Sequence, residues 1–410
     1  MTRTCVDGER LMRRLMRLGE IGRDDQGRLG RLAATDADKA GRDQLVAWLG
    51  EAGLEVVVDR IGNIFGLWRP GSARAEPPLM LGSHIDTVAN GGVYDGAYGV
   101  LAGLEVIETL AEAGFQPARP IALAAFTNEE GARYAPDMMG SLVYAGGLDL
   151  DAALASVGED GSVLGEELVR IGYAGTAQPG FLTPQAYVEL HIEQGPVLER
   201  EGARIGAVER LQGISWLRVA ISGTANHAGT TPMALRRDAG LAAAQVIAFL
   251  PELARDNGPR TVATCGRLKL EPDVINVVPG RARFTIDLRD PDDGRLAAAE
   301  ARLAEFLDDL AARDGVVIET ERLARFEPVA FDQAICRRIE QAAARRGLKS
   351  LRMASGAGHD AQMIARLCPA AMIFVPSVGG VSHNPREHTD PADLIAGANV
   401  FLDVVAELAQ

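Results

Sequence analysis

The stretch 121-IALAAFTNEEG-131 closes an uncharged apolar run with two adjacent carboxylates, Glu129 and Glu130. The run Ile121–Phe126 reads as a buried strand. A charged pair just past its carboxyl end lies where open α/β sheets bind ligands. If the extended conformation continues beyond Phe126, neighbouring side chains point to opposite sides. Glu129 and Glu130 are then expected to meet different surroundings and to have different tasks.

Working outward, strand and helix alternate through the first half of the chain. Leu54–Val58, Ile64–Trp68, Leu79–Gly82 and Ala186–His191 read as further strands, and 8–19, Asp36–Ala52 and Gly99–Ala113 as helices. The segment 148–184 is less regular, with a helical piece around Ser162–Ile171. This order predicts an α/β fold with a mixed sheet flanked by helices. The pattern then changes. Ser215–Ser222, Thr261–Leu270, Arg281–Asp287 and Val316–Arg322 read as strands, with helices over Ala234–Leu250 and 294–313. Their order is β-α-β-β-α-β, a ferredoxin-like α+β unit. After Pro328 the first pattern resumes with helix Asp332–Arg346, strand Ala371–Val375 and a helix from Ala392. The expected organisation is one α/β domain over 1–211 and 327–410, interrupted by an inserted α+β domain over 212–326.

Composition narrows the function. The net charge of −14 over 410 residues argues against nucleic acid and anionic membranes as partners. It leaves room for a small anionic substrate in a locally positive site. Cys5, Cys265, Cys336 and Cys368 have no paired spacing, which predicts reduced thiols in a cytoplasmic protein. The charged N-terminus lacks the apolar core of a secretory signal, and no apolar run approaches the roughly 20 residues of a membrane helix. Lys39, Lys269 and Lys349 lie outside any motif, which argues against Schiff-base chemistry.

Three of the six histidines lie at or just past the ends of predicted strands: His84, His191 and His383. Asp95, in 91-GGVYDGAYG-99, and Glu130 lie in the same kind of place. Taken singly, these are loop histidines, a turn and a solvated carboxylate. Taken together they offer the imidazole and carboxylate ligands of a site for two divalent cations, Zn first, with Mn, Co and Ni also suited. One carboxylate can bridge two ions through its two oxygens, and the shared water then becomes acidic. Asp86, two residues after His84, is expected to accept the other imidazole N–H and fix its tautomer.

The runs 82-GSHIDTV-88, 91-GGVYDGAYGVLAGLE-105, 126-FTNEEGARY-134, 189-ELHIEQGPVLE-199 and 378-VGGVSHNPRE-387 resemble, in this order, the hydantoinase/carbamoylase branch of the aminoacylase–carboxypeptidase metallohydrolases. That branch includes N-carbamoyl-L-amino acid hydrolases, allantoate amidohydrolases and β-ureidopropionases. The resemblance covers nearly the whole chain, and assigns the catalytic role to 1–211 with 327–410 and a lid and dimerisation role to 212–326. It implies metal ligands at His84, Asp95, Glu130, His191 and His383, with Asp95 bridging. His84 and His191 complete one ion's ligands, Glu130 and His383 the other's, and the general base falls on Glu129. Two divalent ions, two carboxylates and a bridging hydroxide leave a charge of about +1, suited to an anionic intermediate.

In the inserted domain the resemblance assigns Arg289 and Asn276 to the substrate carboxylate and His227, in 222-SGTANHAG-229, to the oxyanion. His227 is often supplied by the partner subunit, and domain closure would assemble the site. Gln194 and Gly358 match further substrate contacts. His359 and Asp360 are divided between structural and functional readings, and His388 reads as a loop residue. The implied reaction is hydrolysis of an N-carbamoyl-L-amino acid to the amino acid, CO2 and ammonia, by a homodimer joined through the inserted domain. Allantoate and β-ureidopropionate are the alternative substrates. The non-enzyme alternative, an inactive metal-binding module, needs a defect that neither the five ligands nor Glu129 displays.

Overall fold

The structure is a computed structural model and describes residues 4–71, 76–158 and 160–410. The start of the charged N-terminus, 1–3, and Glu159 of the irregular segment lie outside the described residues. The chain forms two compact units, one of Met1–Glu209 with Phe331–Gln410 and one of Arg210–Ala330. Sequence reading had set the joints at 211/212 and 326/327, a few residues inside these.

The first unit is built on a mixed sheet. Its strands lie in the order Glu55–Val58, Ile64–Trp68, Ile121–Phe126, Leu79–His84, Ala186–Ile192, Ala370–Val375 and Ile205–Leu211, with Ser350–Ser355 also paired to the last. Four consecutive members, Ile121–Phe126 through Ala370–Val375, run parallel. Every residue of these four strands is buried, as strands covered on both faces require. Their carboxyl ends therefore emerge together on one side. Helices Ala97–Glu112, Pro391–Leu408, Gln333–Arg345, Met139–Tyr144 and Asp360–Ile364 pack on the sheet. Phe65, Phe126, Tyr144 and Phe181 form an aromatic cluster with ring centroids 5.1–6.3 Å apart, mostly edge-to-face, the arrangement the ring quadrupoles favour. Among the described residues no helix is long and apolar enough to cross a membrane.

The second unit has a four-stranded antiparallel sheet in the order Val317–Phe326, Gly213–Ser222, Arg281–Asp290, Val262–Glu271. With helices Ala239–Asn257 and Asp293–Asp314 it is a ferredoxin-like arrangement. Alternation decides which face is covered. Ala282, Phe284, Ile286 and Leu288 join the core beneath the helices, while Arg283, Thr285, Asp287 and Arg289 occupy the other face. The helix expected from Ala234 begins instead at Ala239, because Asp238 caps it by accepting the Leu241 N–H at 3.0 Å. It also runs through Pro251 to Asn257. The unit's two ends lie side by side, Leu211 opposite Val329 and Arg210 opposite Ala330.

Candidate metal centre

The four parallel strands bring the chemistry-bearing residues to one edge. Leu79–His84 ends in His84, Ala186–Ile192 carries His191, and the segments after Ile121–Phe126 and Ala370–Val375 carry Glu129, Glu130 and His383. Asp95 lies just before helix Ala97–Glu112, whose positive N-terminus favours a carboxylate there. Gly96 between them has φ +62°, and a Cβ on it would sit 2.4 Å from the His84 ring, so only glycine lets the two approach.

Asp95 is the shared member. Its Oδ1 is 3.2 Å from His191 Nε2 and 3.7 Å from His84 Nε2, and its Oδ2 is 3.4 Å from His383 Nε2. Glu130 reaches His383 Nε2 at 3.1 Å, whereas Glu129 turns to His84 Nε2 at 3.3 Å. Two ligand sets result, His84 with Asp95 and His191, and Asp95 with Glu130 and His383, each with its ligand atoms within 4.8 Å of one another.

The imidazoles are oriented for ligation. His84 Nδ1 donates to the Asp86 carbonyl at 3.0 Å, and His191 Nδ1 to the Ile192 carbonyl at 2.8 Å. A carbonyl only accepts, so each Nδ1 carries a proton and each Nε2 is turned toward Asp95. The tautomer of His84 is thus set by the main chain of Asp86. The expected partner, the Asp86 carboxylate, lies 3.8 Å from Nδ1, too far for a hydrogen bond. It is used elsewhere: it accepts the N–H groups of Glu129 and Glu130 at 3.2 and 3.3 Å.

That contact accompanies a departure from the expected backbone. The strand stops at Phe126, and Asn128 adopts φ +55°. Extended geometry does not continue through the two glutamates. They diverge because the chain bends, held by Asp86 on one side and by the Glu129 carbonyl, which accepts the Met138 N–H at 2.7 Å, on the other. Asn128, Gln194 and His383 all have left-handed backbones, and strain of this kind, on the order of 1–3 kcal/mol each, gathers where a site demands it.

The electrostatics are those of a cation site. Burial disfavours charge on His84 and His191, yet the surrounding carboxylates outweigh it and raise both. His383 is raised to about 10 by Asp95 and Glu130. Burial acts to raise Asp95, but His191, His383 and His84 bring it well below the carboxylate range. Burial, reinforced by Asp360, Glu130 and Asp95, lifts Glu129 well above its ordinary value, against the pull of His84. Converging Nε2 atoms in a field that strongly attracts positive charge fit two divalent cations with nitrogen and oxygen ligands.

A second layer lies behind. His359 stacks edge-on against His191 with centroids 4.5 Å apart and bonds Ser355 Oγ at 3.1 Å. Burial and the nearby His191 hold it well below the usual histidine range. Glu189, His191 and His359 also lie close enough to hold an ion. Glu189, however, already accepts from Ser83 Oγ, Tyr187 Oη and the Ala361 N–H at 2.8–3.2 Å, so it reads as support for the strand beneath His191. Asp360 is fully buried and is pushed well up by burial and Glu189.

The remaining expected residues fall in two places. In the first unit, Gln194 Nε2 donates to Asp95 Oδ2 at 2.7 Å, and its Oε1 is buried without a partner. Gly358 packs on Met138, and His388 stacks edge-on at 6.2 Å from Tyr94. In the second unit, a short ladder sets His227 opposite Val277, and the Asn276 carbonyl accepts the Ala228 N–H at 2.9 Å. Both side chains are exposed. His227 Nδ1 accepts the N–H groups of Gly229 and Thr230 at 3.0 and 3.2 Å, so the proton of the neutral ring is on Nε2. Arg289 lies along Asp287, to which it donates at 2.8–3.0 Å.

Two residues were missed in the sequence. Ser382 Oγ lies 3.0 Å from Asp95 Oδ2 and 2.8 Å from Glu387 Oε2. Glu387 is buried, and burial with the charge of Asp95 raises it to about 7. No spacing rule separates such a carboxylate from a solvated loop residue.

A family model described as peptidase family M20/M25/M40 matches residues 80–407. The chain is 40% identical over 405 residues to an N-carbamoyl-L-amino-acid amidohydrolase of Rhizobium meliloti, covering 99% of this chain and 97% of that protein. It is 35% identical over 398 residues to an allantoate amidohydrolase of Bacillus subtilis, covering 96% and 95%. The crystal structure of an amidase of the hydantoinase/carbamoylase family from Burkholderia multivorans superposes with TM-score 0.92 at 44% identity, covering 99% of this chain and 98% of that one.

Proposed function

The chain belongs to peptidase family M20/M25/M40, and from that premise we propose that it hydrolyses the carbamoyl C–N bond of N-carbamoyl-L-amino acids, giving the amino acid, CO2 and ammonia. The observation that carries this reading is Asp95, whose two oxygens face separate ligand sets. Two divalent cations, zinc first, would be held by His84, Asp95 and His191 and by Asp95, Glu130 and His383. When bound they supply Lewis-acid activation of water and of the scissile carbonyl.

The protein's own groups do the rest. Glu129, buried beside the cluster, takes the proton of the attacking water and returns it to the leaving nitrogen, base first and acid second. Asp86 holds the bend that separates Glu129 from Glu130. Gln194 steadies Asp95, and its bare Oε1 is an acceptor for a ureido N–H. His227 presents Nε2–H to the oxyanion. Arg289 and Asn276 bind the substrate carboxylate, Arg289 exchanging Asp287 for it, and the loop of Gly358 adds a substrate contact. We further propose a cytoplasmic homodimer joined through 212–326, on cysteines that form no disulfide among the described residues and on the edge strands of the antiparallel sheet. A monomer on a calibrated sizing column at working concentration refutes the dimer.

Allantoate is the second reading, favoured by the Bacillus subtilis relative; β-ureidopropionate is the third. The deciding experiment is ammonia release by metal-reconstituted protein from a panel of N-carbamoyl-L-amino acids, allantoate and β-ureidopropionate. A preference for carbamoyl amino acids supports the proposal. Preference for allantoate replaces it, and silence on all of them returns the chain to a non-catalytic metal-binding role.

A further inference from the structure

Two ligand-bearing segments are held in the same way. Asp86 collects the consecutive N–H groups of Glu129 and Glu130. Glu387 Oε1 collects those of Tyr94 and Asp95, at 3.0 and 3.2 Å. Glu387 does more, because it comes from the loop that carries His383. Its Oε2 meets Ser382 Oγ at 2.8 Å, and that hydroxyl lies 3.0 Å from Asp95 Oδ2. The side chain is only 6% exposed. Gly92 makes room for it: a Cβ there would lie 2.1 Å from Glu387 Oε1. One buried carboxylate thus joins the 91–96 segment to the 382–387 segment, residues some 290 apart in sequence.

We propose that Glu387 is a positioning residue that fixes the bridging posture of Asp95 relative to His383, and so governs retention of the cation held by Asp95, Glu130 and His383. This rests on the reading of Asp95 as the bridging ligand. Glu387 belongs to neither ligand set. Without it, two main-chain N–H groups lose their acceptor and the 382–387 loop loses its tie, so Asp95 Oδ2 and His383 can drift apart. The other set shares Asp95, but its two imidazoles, His84 and His191, stand on strands outside the 91–96 and 382–387 segments that Glu387 joins. The loss is therefore expected to be unequal between the two ions.

The test is zinc titration of chelator-stripped full-length protein by calorimetry, with bound zinc counted by elemental analysis. Wild type is expected to take two ions per chain. Glu387→Ala is expected to keep one ion near wild-type affinity and to weaken the other about 10–100-fold, the usual cost of removing a group behind a ligand. Glu387→Gln keeps an oxygen acceptor for Tyr94 and Asp95 and is expected to restore most of the second ion's affinity, whereas Glu387→Met, similar in volume but without the acceptor, is expected to stay weakened about 10–100-fold; a mere packing role would let both variants restore it. Two wild-type affinities in the alanine variant overturn the proposal, as does equal weakening of both ions. If alanine prevents folding, Glu387→Asp, one methylene shorter, decides by the same readout. A wild type that binds fewer than two ions would instead overturn the two-cation reading itself, and a Glu130→Gln variant that retains both at wild-type affinity would remove Glu130 from the ligand set.

Discussion

The Asp86 carboxylate accepts the main-chain N–H of Glu129 at 3.2 Å, and this contact, with its twin to Glu130, holds two neighbouring glutamates on diverging paths. The Asp86 carboxylate therefore holds the backbone of Glu129 and, 3.8 Å from His84 Nδ1, makes no hydrogen bond to that imidazole. Replacing it by Asn leaves one acceptor oxygen for two N–H groups and places an amide N–H against them. Asp86→Asn should lower kcat about 10–100-fold and reduce the bound metal, with the melting temperature nearly kept. Wild-type kcat with full metal content would show that the bend holds without it.

The two glutamates should separate cleanly. Glu129→Gln is expected to lower kcat by about 10²–10⁴ while metal content, counted by elemental analysis, stays near wild type. Glu130→Gln should lose metal as well as turnover. Equal metal loss in both variants refutes the division of labour.

On the second unit, Arg289→Ala should raise KM for substrates with a free carboxylate at least tenfold, as loss of a charge-assisted pair worth about 1.5–3 kcal/mol requires. It should spare the corresponding ester. Arg289→Lys should not restore the loss, because a point charge does not reproduce the fork. Asp287→Asn, which weakens the resting partner of Arg289, should lower KM for the acid. Equal effects of Arg289→Ala on acid and ester would remove Arg289 from substrate binding.

Away from the metal centre, Asp59 is fully buried, and burial raises it from 3.8 to about 7, against the hydrogen bonds of Asn63. The folded state then binds the proton that the unfolded chain releases, so this group's contribution to stability falls as pH rises from about 4 to 7 and is flat above. Asp59→Asn carries no charge at any pH. Its denaturation midpoint relative to wild type should therefore improve between pH 5 and pH 8, and a difference constant across that range would show that Asp59 does not titrate there.

Uninterrupted apolar runs made Ile64–Trp68 and Ile121–Phe126 readable to the residue, and with them the fold class. Ile205–Leu211 and Ser350–Ser355 escaped notice because polar residues break their apolar pattern. The helix expected from Ala234 starts only at Ala239, where burial begins; Leu235 is apolar yet 74% exposed. At the centre, residue types and their places at strand ends pointed to cations. What stayed hidden were groups that act through the backbone. A carboxylate that accepts an N–H from a distant loop leaves no periodicity, and that is why Glu387 and the backbone contacts of Asp86 have no signature in the sequence.

The place of Ala370–Val375 has a consequence for how the protein comes off the ribosome. This strand is inserted between Ala186–Ile192 and Ile205–Leu211, yet it is made after the whole of Arg210–Ala330. Until it arrives, the nascent first unit presents two bare strand edges, and His383 has not been synthesised. The insert can fold meanwhile, since its sheet draws only on its own residues. Translation therefore leaves a long interval in which the larger unit is open to edge-to-edge association, and a chain truncated before residue 370 should aggregate during synthesis.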